Sequence, residues 1–481
     1  MLLAHRTLRL ALTGLLCWAV ETPAAFAQTQ VKLYPAPAGA PRSADFSVRV
    51  NGQPVDLYGS RTRYGGTATF GYFDFAGEVE VEVIEHFGPS HSAAFLVLPE
   101  KYGIKPETVA NGHIRFRLTQ PAKLTFVLCG DYVGNTLHLF ANAPETDAPA
   151  PGAPGVIYFG PGYHEIGADQ QWRVTLQSGQ RVYLAGGAYV VGNLAASQAK
   201  GIRIHGRGIL AQGPAQPSAH GLRFTDCEDL EVSGIILNRT RDGWSGSIHR
   251  SRGIRIHDYK VVSPAIWSTD GLNLLNCQDA VLADCFFRAG DDNIAIKGFG
   301  AAGGSRPVTE DPKAGRPNRD ILIRDCIFWS DNNTAVVLGQ ESKAAVYENI
   351  TVRDSDVLFC RDDQPYKAAL AIVCLNATDY RNILFENIRV GPCGQLIAAF
   401  HCEEIFRLKG NQNWPGEING VTYRNITATG AGSKRIRIEG WSENKKVHNV
   451  VLENVTIDGI RVREGSPYLL TNPHVEGLTF K

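Results

Sequence analysis

The feature that most constrains this chain is a short β-type segment that recurs beyond Val156 and is closed each time by Asn, Asp or Gly. It appears as RVYLAGGAYVVG, GIRIHGRGIL, LRFTDCEDLEVSGIIL, GIRIHDYKVV, GLNLLNCQDAVLADCFF, DILIRDCIFW, YENITVRDSDVLF, YRNILFENIRVG, GVTYRNITATG and VHNVVLENVTIDGI. Each unit alternates apolar with polar residues, meets an Asn or Asp, and then offers a second β-branched pair. Starts recur every roughly 20 to 30 residues, a solenoid period. No unit could bury its apolar face alone, so neighbours must stack. Leucine-rich repeats need a regular L-x-x-L-x-L, and propellers need four-strand units of roughly forty residues. Neither fits. The pattern predicts a right-handed parallel β-helix of roughly ten coils over residues 156–481.

Residues 28–142 carry a different pattern. FSVRVNG, TATFGYF, VEVEVIEH, HIRFRLT, KLTFVLC and LHLFAN alternate as half-buried antiparallel strands, with Asn51-Gly52 and Asn111-Gly112 as turns. This predicts a β-sandwich of roughly a hundred residues. Residues 143–155, APETDAPAPGAPG, read as a linker or a strap packed across the junction. The expected fold is all-β.

Residues 1–27 read as a signal peptide. Arg6 and Arg9 precede the apolar run Leu10 to Val20, and Ala25-Phe26-Ala27 has the A-x-A form of a cleavage site. Cleavage near Ala27 implies a secreted or periplasmic product, and the apolar run is too short to span a bilayer. Lys+Arg and Asp+Glu balance at 48 each, so no polyanionic partner such as nucleic acid is signalled. Of the ten cysteines only Cys17 lies in the leader; the remaining odd number leaves at least one free. Several recur at like places in the repeats (FTDCEDL, LADCFF, IRDCIFW), which suits buried thiols rather than a disulfide framework. No C-x-x-C pair or Cys/His cluster points to a metal, and nothing calls for a cofactor.

The chemistry concentrates in Trp267 to Gly298, WSTDGLNLLNCQDAVLADCFFRAGDDNIAIKG. Asp270 and Asp291 stand about one repeat apart, so coils spaced about 4.8 Å would stack them, with Asp292 alongside. Carboxylates that close cannot all ionise cheaply, so at least one pKa should rise. A protonated carboxyl beside an ionised one is the equipment for glycosidic hydrolysis. Turn capping accounts for Asn276, Asp284 and Asp325; it accounts poorly for Gly290-Asp291-Asp292. Gly298 to Gly303 matches G-x-G-x-x-G, but Ser305-Arg306-Pro307 bars the helix a dinucleotide site needs.

Ser268-Thr269-Asp270-Gly271, followed one coil later by Gly290-Asp291-Asp292 and by I-A-I-K ending at Lys297, resembles the polygalacturonases of glycoside hydrolase family 28. It also resembles the dextranases and isopullulanases of family 49. IYFGPGYHEIG, RVYLAGGAYVVGNL and IHGRGIL resemble the opening coils of both, and a sandwich ahead of the β-helix is more like family 49. The resemblance implies Asp291 as general acid, Asp270 and Asp292 holding and deprotonating the attacking water, inversion at the anomeric carbon, and Lys297 at the cleft edge.

Two departures bear on the sugar. Where the polygalacturonases carry G-H-G, this chain reads NNTAVVLGQES, with Glu341 as a candidate contact. Their R-I-K motif also has no counterpart; YKAALAIVC offers only Lys367, so a neutral sugar becomes the alternative to a uronate. Trp244, Trp267, His401, Glu403, Glu404 and Trp414 are further candidates for substrate contact. The reading is a secreted inverting glycoside hydrolase acting on an α-glucan-like or pectin-like polysaccharide or oligosaccharide. A β-helix polysaccharide lyase and a non-catalytic glycan-binding solenoid stand as alternatives.

Overall fold

The computed structural model describes residues 29–481 apart from 88–93, 214–215, 217–218, 300–315, 362–366, 377, 403, 406–407 and 410–415, with only the backbone at 168, 404–405 and 408–409. The expected signal peptide, most of the segment Gly298 to Asn318, Glu403, Trp414 and the Glu404 side chain lie outside the described residues. Among the described residues no helix is long and apolar enough to cross a membrane.

Two sheets form the sandwich. One has five antiparallel strands, in the order Gln53–Val55, Phe46–Val50, Val79–Glu85, His113–Leu118, Glu107–Ala110. Its strands show the expected alternation, with Val79, Val81 and Val83 buried and Glu80 and Glu82 between them less so. The six-stranded sheet differs: Ala122–Leu128 and Thr136–Asn142 are buried at every position. The reason is a second covering layer. Tyr58, Phe70, Tyr72 and Phe140 pack against Tyr189, Ile209, Ile236, Phe286 and Trp329 of the coils. One pairing also departs from antiparallel, since Thr136–Asn142 runs parallel to Thr67–Ala76.

The coils begin at Val156–Phe159 and continue to the C-terminus as a parallel β-helix. One ladder holds eleven strands; the others merge into a 23-stranded array. Pairing is in register, so like residues stack: Ala280, Ile321, Ile350, Ile383, Val421 and Val450 form one interior column. Each such side chain is worth about 1.5–3 kcal/mol on burial, which no isolated coil could collect. The Asn or Asp of each repeat is the corner residue. Asn276, Asp284, Asp325, Asn387 and Asn425 all have φ between 52° and 58°, the left-handed region that Asn and Asp tolerate better than most residues. Among the described residues no cysteine is in a disulfide, and most are buried. Cys277, Cys285 and Cys326 donate their thiols to nearby carbonyls. Within residues 143–155, Glu145 accepts from Tyr183 and Asp147 from Arg203 of the coils.

Candidate active site

The three aspartates sit where the coil turns into the eleven-stranded ladder. Asp270 precedes Leu272–Leu275; Asp291 and Asp292 precede Ile294–Phe299. Both approaches are glycine-bound for a steric reason. A Cβ on Gly271 would lie 2.4 Å from Asn293 O, and one on Gly290 would lie 2.1 Å from Ile266 O. The register corrects one expectation. The amides of Gly271 and Leu272 donate to the carbonyls of Asp292 and Asn293 at 2.8 and 2.9 Å, so Asp270 stacks on Asp292, and Asp291 lies beside that pair.

One oxygen from each of the three carboxylates lies within 4.8 Å of the others. Asp270 is 1 % exposed and Asp292 4 %, whereas Asp291 is partly exposed. Asp291 Oδ1 accepts from Asn333 Nδ2 at 2.6 Å, and its carbonyl accepts from Ser330 Oγ at 2.8 Å. Asp292 Oδ1 accepts from the hydroxyl and amide of Thr334. Lys297 corrects a second expectation: it is buried inside the cluster, with Nζ 3.3 Å from Asp270 Oδ2 and 3.7 Å from Glu341 Oε2. It is drawn there because a desolvated carboxylate needs a counter-charge. Glu341 reaches it through a bulge, since Ile296 pairs with Leu338 but Gly298 with Ser342.

The electrostatics separate the acids. Burial, then the charges of Asp270 and Asp292, hold Asp291 well above the usual carboxylate range. Burial pushes Asp270 up to about 7, against the pull of Lys297 and with Asp292 adding to the rise. Asp292 is also raised by burial, with Lys297 and Thr334 opposing. Lys297 is itself held above its ordinary value, because Glu341 and the aspartates outweigh burial. The result is a partly exposed carboxyl shifted toward its protonated form beside two recessed ones that are also raised, so the three cannot all ionise together.

Other candidates divide. The Trp244 ring lies 4.5 Å from Lys297 Nζ and stacks on His220 at 4.7 Å, forming one wall. Lys367 is buried with Nζ 2.7 Å from Asn332 O, bracing the turn that carries Asn333. Trp267 is 61 % exposed, three residues before Asp270. His401 is not brought to the cluster. It lies two coils beyond Val336–Lys343, and burial lowers it to about 4, so it is a neutral buried imidazole. Asn333 and Thr334 were not singled out from sequence, although counting one coil on from Asp291-Asp292 leads to them.

Among the described residues two clusters have a metal-like set of groups: the three aspartates, and Glu145, Asp147 and His205. In the first, the Lys297 ammonium already supplies the positive charge. In the second, Arg181 donates to His205 Nε2; the neutral ring then keeps its proton on Nδ1, facing Asp147, and has no lone pair there for a cation.

No family model matches the chain. A probable polygalacturonase from Vitis vinifera is 21 % identical over 264 residues, covering 52 % of this chain and 48 % of the relative. An isopullulanase from Aspergillus niger is 23 % identical over 376 residues, 70 % of this chain and 57 % of the relative. The aligned stretches thus span about half the length of these curated relatives. Among solved structures, Dex49A from Penicillium minioluteum superposes with a TM-score of 0.60 at 15 % identity, covering 94 % of this chain and 96 % of that one. The chain thus shares the β-helix fold of Dex49A and is similar in sequence to a polygalacturonase and an isopullulanase, in keeping with the resemblance of its S-T-D-G and G-D-D pairing to glycoside hydrolase families 28 and 49.

Proposed function

We propose that the protein is an inverting glycoside hydrolase, with Asp291 as the proton donor and Asp270 and Asp292 activating water. The observation that carries this is the geometry of the cluster: of three carboxyls with an oxygen each within 4.8 Å of the others, Asp291 is partly exposed while Asp270 and Asp292 are recessed, and burial with the neighbouring charges raises Asp291 well above the usual carboxylate range. Such a group can protonate a leaving oxygen at neutral pH. The carboxylates are closer than the about 6.5–9.5 Å usual for inversion. What supports water as nucleophile is recession. Asp270 and Asp292 are buried and bonded to Lys297 and Thr334, so neither can reach an anomeric carbon, whereas a water held between them can.

A neutral α-glucan fits this site better than a pectic chain. Lys297 is engaged by Asp270 and Glu341 and Lys367 by Asn332, so neither is poised to grip a uronate. A lyase needs a neutral base; Lys297 is held cationic. Residues 28–142 would be the sandwich, 143–155 the strap and 156–481 the catalytic β-helix of a secreted or periplasmic enzyme, with residues 1–27 cleaved. Reducing-sugar release from a polysaccharide panel, with NMR of the first anomer formed, tests the reading. Asp291→Asn should fold and release none. Hydrolysis retained by that variant would sink the proposal, first-formed product of retained configuration would sink inversion, and unsaturated products would favour the lyase.

A further inference from the structure

One fully buried cation links the sandwich to the candidate site. Arg288 lies on Phe286–Ala289, directly ahead of Gly290-Asp291-Asp292, on the face the sandwich covers. On one side its guanidinium donates to Thr136 Oγ1 and to His138 Nε2, the latter at 3.2 Å. On the other it reaches both Asp331 oxygens at 3.3 Å. Arginine only donates, so His138 Nε2 accepts, and Nδ1 keeps the proton and donates to Thr125 Oγ1 at 2.9 Å. Burial lowers His138 well below its ordinary value, in keeping with that neutral ring. Trp329 Nε1 donates to Asp331 Oδ1 at 2.8 Å, and its ring lies 4.7 Å from the guanidinium.

Asp331 opens the turn whose other members hold the acids. Ser330 Oγ donates to the Asp291 carbonyl and accepts from the Asn333 amide, each at 2.8 Å. Asn333 then bonds the Asp291 carboxyl, and Thr334 bonds Asp292. A buried ion pair is not needed for stability at such a junction, where apolar residues of like volume commonly serve as well.

We propose that Arg288 and Asp331 are positioning residues through which Thr136 and His138 of the sandwich hold the turn Asp331 to Thr334 against Asp291 and Asp292. This rests on the reading of Asp291 as proton donor. The groups that face Asp291 are Asp270, Asp292 and Lys297, with Asn333 from the next coil; Glu341 lies beyond Lys297, and Lys367 acts on Asp292. Asn333 favours the ionised form of Asp291 and occupies Oδ1, leaving Oδ2 to carry the proton. Loosening the turn therefore raises the pKa of Asp291, and the alkaline limb of activity moves up.

The test uses the full chain with Thr136→Val, His138→Leu and the double variant Arg288→Met/Asp331→Asn, which strands no buried charge. Amide exchange over 289–294 and 329–335 should quicken in each, while exchange over 447–457 stays unchanged. The alkaline limb should rise by roughly half to one pH unit, with kcat lowered and KM held. Asn333→Ala should reproduce that limb shift. Unchanged exchange at 329–335 in the two sandwich variants overturns the proposal, as does an active variant whose limb does not move. If the wild type hydrolyses nothing in the panel, the hydrolase reading fails, and the exchange data still decide the coupling.

Discussion

Lys297 Nζ lies 3.3 Å from Asp270 Oδ2, so the centre of the carboxylate cluster is a buried ion pair. Lys297 opposes the burial that raises Asp270 and Asp292. Lys297→Met should therefore raise both groups further. The base must be ionised to take a proton from water, so the acidic limb of the rate profile should move to higher pH. With the base mostly protonated at neutral pH, kcat should fall by about 100-fold or more. Lys297→Arg keeps the charge and should keep the limb in place. An acidic limb unmoved in Lys297→Met would show that the lysine does not tune the base.

Asp291 makes an opposite demand on stability. Its folded pKa lies well above the unfolded value of about 4, so the folded state binds the proton more tightly. The stability this contributes is complete below the unfolded pKa and is lost as pH rises toward the folded one. Asp291→Asn removes the ionisation and can still accept from Asn333 through its carbonyl. The variant should therefore melt about 2 °C or more above wild type at pH 8, with the difference closing at pH 4. Calorimetry at the two pH values checks it; an equal or lower melting temperature at pH 8 would contradict the raised pKa.

The repeat was legible because two independent signals agree in every coil: the apolar–polar alternation and an Asn or Asp at the left-handed corner, as at Asn276 and Asn425. The aspartates were legible because Gly290-Asp291-Asp292 exceeds what a turn needs. Register was not. Whether Asp270 faces Asp291 or Asp292 depends on which amides pair, and a one-residue shift leaves the text unchanged. The place of Lys297 was hidden for a related reason, since the bulge that carries Glu341 to it has no signature in GQES. Asn333 and Thr334 read as ordinary turn residues. The second buried face of the sandwich became apparent only once the coils covered it.

Gly290 is where scaffold and site compete for the same space. A Cβ there would meet Ile266 O at 2.1 Å and Thr269 Oγ1 at 2.7 Å. Both belong to the loop that ends at Asp270, so neither can retreat without moving that carboxylate. Gly290→Ala should lower kcat by about 10-fold or more, through misplacement of the acids, while leaving strands outside the two turns intact. Circular dichroism and kinetics on the same preparation separate the two effects. Wild-type kcat in a folded variant would show that the turn has slack.

On the outer corner of the coils, asparagines form a ladder. Asn387 donates to Asp354, Asn425 to Asn387 and Asn454 to Asn425, each at 2.9 Å. Asn425 sits at φ 52°, so its side chain and its backbone both matter. Asn425→Gly removes the bonds but keeps the conformation, whereas Asn425→Ala removes the bonds and adds the left-handed cost of about 1 kcal/mol. Because these bonds are exposed, each is worth at the low end of about 0.5–1.5 kcal/mol. Ala should therefore destabilise by roughly twice as much as Gly in urea unfolding. Equal losses would mean that the ladder, not the backbone, selects asparagine at the corner. The same geometry bears on Asn425-Ile426-Thr427 as a glycosylation sequon: its amide nitrogen is already the donor to Asn387, and a glycan there would leave it a single N–H to serve that rung.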